Sequence, residues 1–214
     1  MSFTPVVAAA LSGASTRQLA YWRSARTSER LLAPAHYEPR TRVSYSFPDV
    51  VALRTFVYLR SREVPLQRIR KAVASLRKLG HDEHLSEYSL IAMGRDVVWR
   101  ISADEAIDLT RSPGQGLLVH MVDIFAPFVN MQDQNVVDLR RPKPGISVDP
   151  EVRGGFPVVE GTRVPYDLVA SLLNDGLDVA TISTVYPSVS VEAAQGAADF
   201  ARYVDGFDRP RLAA

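Results

Sequence analysis

The sequence predicts a mainly α protein with small β elements, an α+β chain. Apolar residues recur at helical spacing through most of 4–78 and 166–204. Short alternating runs bounded by Gly and Pro break that pattern near 90–101 and 146–159. Charge also divides the chain. Residues 1–80 carry 14 Lys+Arg against 4 Asp+Glu, a balance of +10. Residues 81–214 carry 11 against 20, a balance of −9 behind a net charge of only +1. Such a split suggests one part that presents cations to phosphates, joined to another with different work.

At 214 residues and 46% hydrophobic, the chain allows one large domain or two small ones with a real core. No run of about 18 apolar residues occurs, so no membrane partner is expected. Val6 to Leu11 is too short, and lacks the basic lead, for a signal peptide. The absence of cysteine excludes disulfides, a thiolate nucleophile and Cys-based zinc sites, and fits a cytoplasmic setting. No Ser/His/Asp order, ligand set or carboxylate pair stands at a workable spacing, so neither an enzyme nor a cofactor is expected.

Thr4-Pro5 opens a first helix, with Thr4 as cap, and Gly13 stops it; Val6, Val7, Ala10 and Leu11 form its apolar face. Ser15-Thr16-Arg17-Gln18 is a capping box. It starts a second helix with Leu19 and Trp22 inward and Arg17, Gln18, Tyr21 and Arg23 outward. Two short helices joined by a Gly-containing turn make a helix-turn-helix pattern, although pairs of this size also occur in plain cores. Leu31-Leu32-Ala33-Pro34 leads into a polar segment with the length of a hairpin or wing, holding Tyr37, Arg40, Arg42 and Tyr45. Ser46-Phe47-Pro48-Asp49 opens a third helix with Val50, Leu53 and Val57 at helical spacing. Pro65 starts a fourth, with Leu66, Ile69, Val73 and Leu76 on one face and Arg68, Arg70, Lys71, Arg77 and Lys78 on others.

Gly13 to Arg70 resembles the winged DNA-binding domain of MerR-type regulators. The matching residues are Gly13, Ser15, Leu19, Tyr21 and Trp22, then Leu31, Leu32 and Pro34, then Tyr45, Ser46, Asp49 and Leu53, then Pro65, Leu66, Ile69 and Arg70. The resemblance implies a winged helix-turn-helix within 1–80. It implies a recognition helix at Thr16 to Arg23 in the major groove of operator DNA, with a wing over the backbone. The DNA-binding residues expected from it are Thr16, Arg17, Gln18, Tyr21, Arg23, Arg40, Arg42 and Tyr45. The sequence departs from the family pattern at Ala20, where Arg is usual, and in the longer spacer Arg23 to Arg30, where Arg26 or Arg30 can supply the missing charge. DNA readers use paired half-sites, so a homodimer is expected.

The middle segment, 81–140, offers little chemistry and is a candidate for dimerisation. His81, Asp82, Glu83 and His84 could hold a metal, but no further ligand stands nearby and a solvated loop accounts for them. Leu90–Met93 and Asp96–Ile101 around Gly94 read as a β-hairpin; Leu117–Val129 reads as core, with Trp99 and Phe128 as core aromatics. Arg140 to Gly145 reads as a linker and domain boundary.

The last module, 145–206, is acidic, with 3 Lys+Arg against 9 Asp+Glu. Gly145–Pro165 reads as a β-turn unit, with apolar runs at Ile146/Val148 and Val158/Val159. A phosphate loop does not fit: five residues separate Gly155 from Gly161, no lysine follows, and Glu160 opposes a phosphate. Three helices follow: one with Leu168, Val169, Leu172 and Leu173, one with Val179, Ile182 and Val185, and one capped by Ser190 with Ala193, Ala197, Phe200 and Val204. So acidic a surface would repel a duplex. The residues Ile146, Asp149, Pro150, Gly155, Pro157, Val158, Val159 and Gly161 to Pro165 resemble the family called domain of unknown function 433. Phe156 departs from it, where Lys or His is common. The resemblance implies the antitoxin of a VapBC-like toxin–antitoxin pair, with a PIN-like ribonuclease toxin as partner and a homodimer or higher toxin–antitoxin assembly. Arg163, Arg202 and, in the basic tail 207–214, Arg209 and Arg211 are the expected toxin-binding residues.

Overall fold

A computed structural model describes residues 2–24, 31–32, 34, 36–38, 42–78, 89–93, 96–100, 106–108 and 124–208. Helix α1 (Pro5–Ser12) starts at Thr4, whose hydroxyl accepts from the Val7 N–H at 3.4 Å, and ends at Gly13, left-handed at φ 83°. Helix α2 (Thr16–Arg23) carries the expected capping box: Ser15 Oγ accepts from the Gln18 N–H at 3.1 Å, and Gln18 Oε1 accepts from the Ser15 N–H at 2.8 Å. Strands β1 (His36–Glu38) and β2 (Arg42–Ser44) pair antiparallel as the wing hairpin, with His36 opposite Ser44. Just past it, Tyr45 and Phe3 exchange backbone hydrogen bonds, which tie the wing to the start of the chain. Helices α3 (Phe47–Ser61) and α4 (Leu66–Lys78) complete this half.

A three-stranded antiparallel meander follows, β3 (Ser89–Met93), β4 (Asp96–Arg100) and β5 (Ala106–Asp108). The hairpin of the sequence reading is there, joined by a third strand, and β4 lies against α4 with Val97 buried. A second hairpin, β6 (Phe128–Val129) and β7 (Asn135–Val136), turns at Asn130–Gln134. The last unit pairs β8 (Ile146–Ser147) with β9 (Val158–Val159) and continues into α5 (Tyr166–Asn174), α6 (Val179–Val185) and α7 (Val191–Phe207).

The halves share one core, so 140–145 is not a free linker. Pro142 is buried, the Val148 N–H donates to Arg140 O at 2.8 Å, and a Cβ on Gly196 of α7 would meet Pro144 O at 1.9 Å. Only glycine lets α7 lie this close. Helix α7 packs on α1, which therefore meets neighbours on two sides, α3 and α7. This is why Ala8, Ala9 and Ala10 are all fully buried rather than one stripe of α1, while Val6, expected inward, is exposed. Leu168 and Val185, also expected inward, are exposed as well, Val185 at 62%; their short helices are covered along one side only. Phe156 stacks between Phe3 and Tyr166, at 5.9 and 5.8 Å between ring centres. The departure from that pattern is thus an apolar bridge to the first half of the chain.

Arg54 anchors the junction. It is fully buried on α3, a helix whose residues 49–59 are all inside. Its guanidinium donates to five carbonyls: Leu11 at 2.6 Å, Val137 at 2.7 Å, Ala126 at 2.8 Å, Phe125 at 3.3 Å, and Ile124. It also lies 5.0 Å over the Phe128 ring. Burial pulls its pKa down to about 10, so it stays charged at neutral pH. Asn130 makes a second clamp, its Nδ2 donating to Gly13 O at 2.9 Å and to Gln134 Oε1 at 3.0 Å.

Candidate nucleic-acid interface

Leu19 and Trp22 fix the orientation of α2: both are buried, and Trp22 meets Phe56 of α3 edge-on at 6.0 Å. The opposite side of the helix then faces out, with Arg17, Ala20 and Tyr21 exposed, Tyr21 at 48%. The Arg70 guanidinium lies 5.2 Å from the Tyr21 ring centre, so α4 supports the ring from one side. An exposed helix face bearing a cation and an aromatic hydroxyl, stiffened from beneath, can enter a groove and reach base edges and phosphates.

The other expected DNA contacts are placed differently. Arg23 is half-buried, and its Nη1 donates to Tyr45 Oη at 3.2 Å. Tyr45 is only 1% exposed, so its ring is core and not a wing contact. Burial raises its phenol pKa, opposed by the hydrogen bond and charge of Arg23, and its part is to hold Arg23. Gln18 spends its Oε1 on the helix cap, and it lines a small cavity of about 190 Å³ with Tyr21, Trp22 and Met131. Thr16 is occupied: Asp208, just after α7, accepts from its N–H at 3.2 Å and from its hydroxyl. Arg40 and the side chain of Arg42 lie outside the described residues, although β2 itself is in place.

The expected toxin-binding residues also separate. Arg163 is exposed at the rim of a cleft in the last unit. Arg202 is paired with Asp199 one turn earlier on α7, which neutralises it. Arg209 and Arg211 lie outside the described residues, as do His81 to His84. Among the described residues no group of His, Asp and Glu could hold a metal. Sequence reasoning missed Asp208 and the support of Tyr21 by Arg70. Asp208 stands 192 positions from Thr16 and gave no local signal. Arg70 was visible only as one of several cations on α4.

Comparison with known proteins matches two separate stretches of the chain. Residues 3–76 match the family described as MerR HTH family regulatory protein. Residues 146–201 match the family described as protein of unknown function DUF433. Over 110 residues the chain is 36% identical to an uncharacterized HTH-type transcriptional regulator of Mycobacterium bovis, and equally to counterparts in two strains of Mycobacterium tuberculosis. That alignment takes in 50% of this chain and 46% of each relative, so the chain spans about half the length of the curated relatives it matches. The crystal structure of Rv2018 from Mycobacterium tuberculosis aligns with a TM-score of 0.56 at 16% identity, over 93% of this chain and 100% of that one, which is a likeness of fold. No helix among the described residues is long and apolar enough to cross a membrane. The chain carries a MerR-like helix-turn-helix segment followed by a DUF433-like segment.

Proposed function

We propose that the protein is a DNA-binding transcription regulator of the cytoplasm and the antitoxin of a type II toxin–antitoxin pair. The basic half binds operator DNA as a homodimer or higher assembly and autoregulates the operon. The acidic half binds and neutralises a PIN-like ribonuclease encoded beside it. The observation that carries the DNA reading is the outward face of α2, Arg17 and Tyr21 over a buried Leu19 and Trp22, within a segment similar to MerR regulators. The nuclease reading is supported by the DUF433-like segment and by its acidic composition, which disfavours a second contact with DNA. The relatives' description as transcriptional regulators favours a second reading, a one-component regulator that answers a small ligand and has no toxin. Co-expression with the neighbouring gene separates the two, since only the antitoxin gives a stable complex and relief of growth arrest.

Replacing Arg17 with Ala is expected to weaken operator binding by about 1–3 kcal/mol if the guanidinium reads a base edge, or to lower the salt dependence by about one phosphate if it neutralises the backbone. An unchanged gel shift at moderate salt rejects α2 as the reading helix. A tail deletion must begin after Asp208. Phe207 is buried and its carbonyl accepts from Gln134 Nε2 at 2.9 Å, so removing it disturbs the core as well as the tail.

A further inference from the structure

Positive charge between residues 138 and 206 is gathered largely in one place. Residues 138–206 contain six Lys and Arg: Arg140, Arg141, Lys143, Arg153, Arg163 and Arg202. Between the segment that enters β8 and the turn after β9 lies an open cleft of about 860 Å³, lined by Arg140, Arg141 and Arg163. Arg153 stands beside it and donates from Nη1 to Arg163 O at 3.3 Å. Three of the six cations therefore line one opening, on a module that is acidic elsewhere.

The two carboxylates in the cleft, Asp149 and Glu160, offset only part of this charge. Glu160 Oε1 is paired with Arg141 Nη2 at 3.0 Å across it. Asp149 turns Oδ1 onto the Glu151 N–H at 2.9 Å. Arg140 and Arg163 have no carboxylate partner among the described residues. The Arg140 side chain and the backbone at Arg163 are each held by their surroundings. The Arg140 guanidinium lies 4.7 Å from the centre of the Phe125 ring, while the residue itself is exposed. Arg163 follows Thr162, whose Oγ1 donates to Val159 O at 2.9 Å and accepts from the Val164 N–H at 3.0 Å, so its backbone is locked. Planar N–H forks suit carboxylates, which they bind with two parallel hydrogen bonds. A small ligand would stay largely uncovered in so open a cleft, whereas a length of chain can cross it.

We infer that this cleft receives an acidic peptide segment of the partner protein, with its carboxylates on Arg140 and Arg163. The inference rests on the reading of the acidic half as a protein-docking module, and it names how the partner is recognised.

The test uses the full-length chain and two probes. The first is a fluorescent hexaglutamate peptide followed by anisotropy at low salt. The second is the nuclease encoded by the neighbouring gene, followed by co-purification. The double variant R140E/R163E is expected to bind hexaglutamate about tenfold or more weakly than the wild type, as the loss of charge-assisted hydrogen bonds requires. R17E, on the basic half, is expected to bind it as the wild type does. The milder R140Q/R163Q serves if the double reversal fails to fold by circular dichroism. The inference is overturned if the wild type does not bind the peptide, if the cleft variants bind it unchanged, or if R17E loses it instead. It is also overturned if the cleft variants lose operator DNA in a gel shift, because the arginines would then serve phosphates. Loss of the peptide by the cleft variants, with no nuclease captured by the wild type, keeps the cleft and defeats the antitoxin reading.

Discussion

Arg54 decides more about this molecule than any residue expected to touch DNA. A lone guanidinium inside a protein is tolerated only when its N–H groups find acceptors, and here five carbonyls from three separate segments converge on it. Replacing it with Met keeps the length and removes every donor, leaving buried carbonyls unpaired. The expected cost is about 3–5 kcal/mol, as for the loss of one side of a buried charged contact. A urea midpoint that moves by less than about 1 kcal/mol equivalent would show that the carbonyls find other donors. Nothing in the sequence pattern announced this role. An Arg between Leu53 and Thr55 reads as one more cation of a basic half, and only the burial of every neighbour from Asp49 to Leu59 reveals it. Tyr45 shows the converse error: an aromatic among arginines read as a DNA contact, yet the pairing of Phe3 with Tyr45 draws it inside.

At the scale of elements, local chemistry was well written in the sequence. Capping residues gave the starts of α1, α2, α3 and α7, because a cap needs only residues three apart. The strands β8 and β9 were legible from alternation and turn glycines. The sides of the helices were less so, since which side is covered depends on partners far along the chain. Helix α7 is the clearest case: Gly196 lay outside the face expected from Ala193, Ala197, Phe200 and Val204, yet it lies against Pro144. Gly196→Ala is therefore expected to push α7 away from Pro144 and to destabilise the fold by about 1–3 kcal/mol, despite the better helix propensity of Ala. A thermal midpoint equal to or above that of the wild type would contradict this packing.

At the scale of the whole molecule, the two halves are joined by an aromatic line of Phe3, Phe156, Tyr166, Phe200, Tyr203 and Phe207, with neighbouring ring centres 4.6–6.2 Å apart. Tyr203 also donates its hydroxyl to Ala10 O at 3.0 Å. Burial raises its phenol pKa to about 12, against the opposing pull of the Val137 N–H and Arg54, and burial raises Tyr166 and Tyr45 in the same direction. Raised phenols stabilise the fold fully below the unfolded value of about 10, and that contribution is lost as pH climbs through the folded values. Stability is thus expected to be level from neutral to about pH 9 and to fall above about pH 10. Phenolate absorbance should rise together with unfolding, and a rise that precedes it would mean the rings are open to water. The contact between Asp208 and Thr16 has a further consequence. The N–H that Asp208 holds is the first of α2, the helix proposed to read DNA, where a phosphate oxygen would compete for it. A carboxylate and a phosphate oxygen cannot both take that one hydrogen. Under the proposed docking, Asp208 and a phosphate compete for Thr16, so whatever shifts the end of α7 would also change what Thr16 offers to DNA.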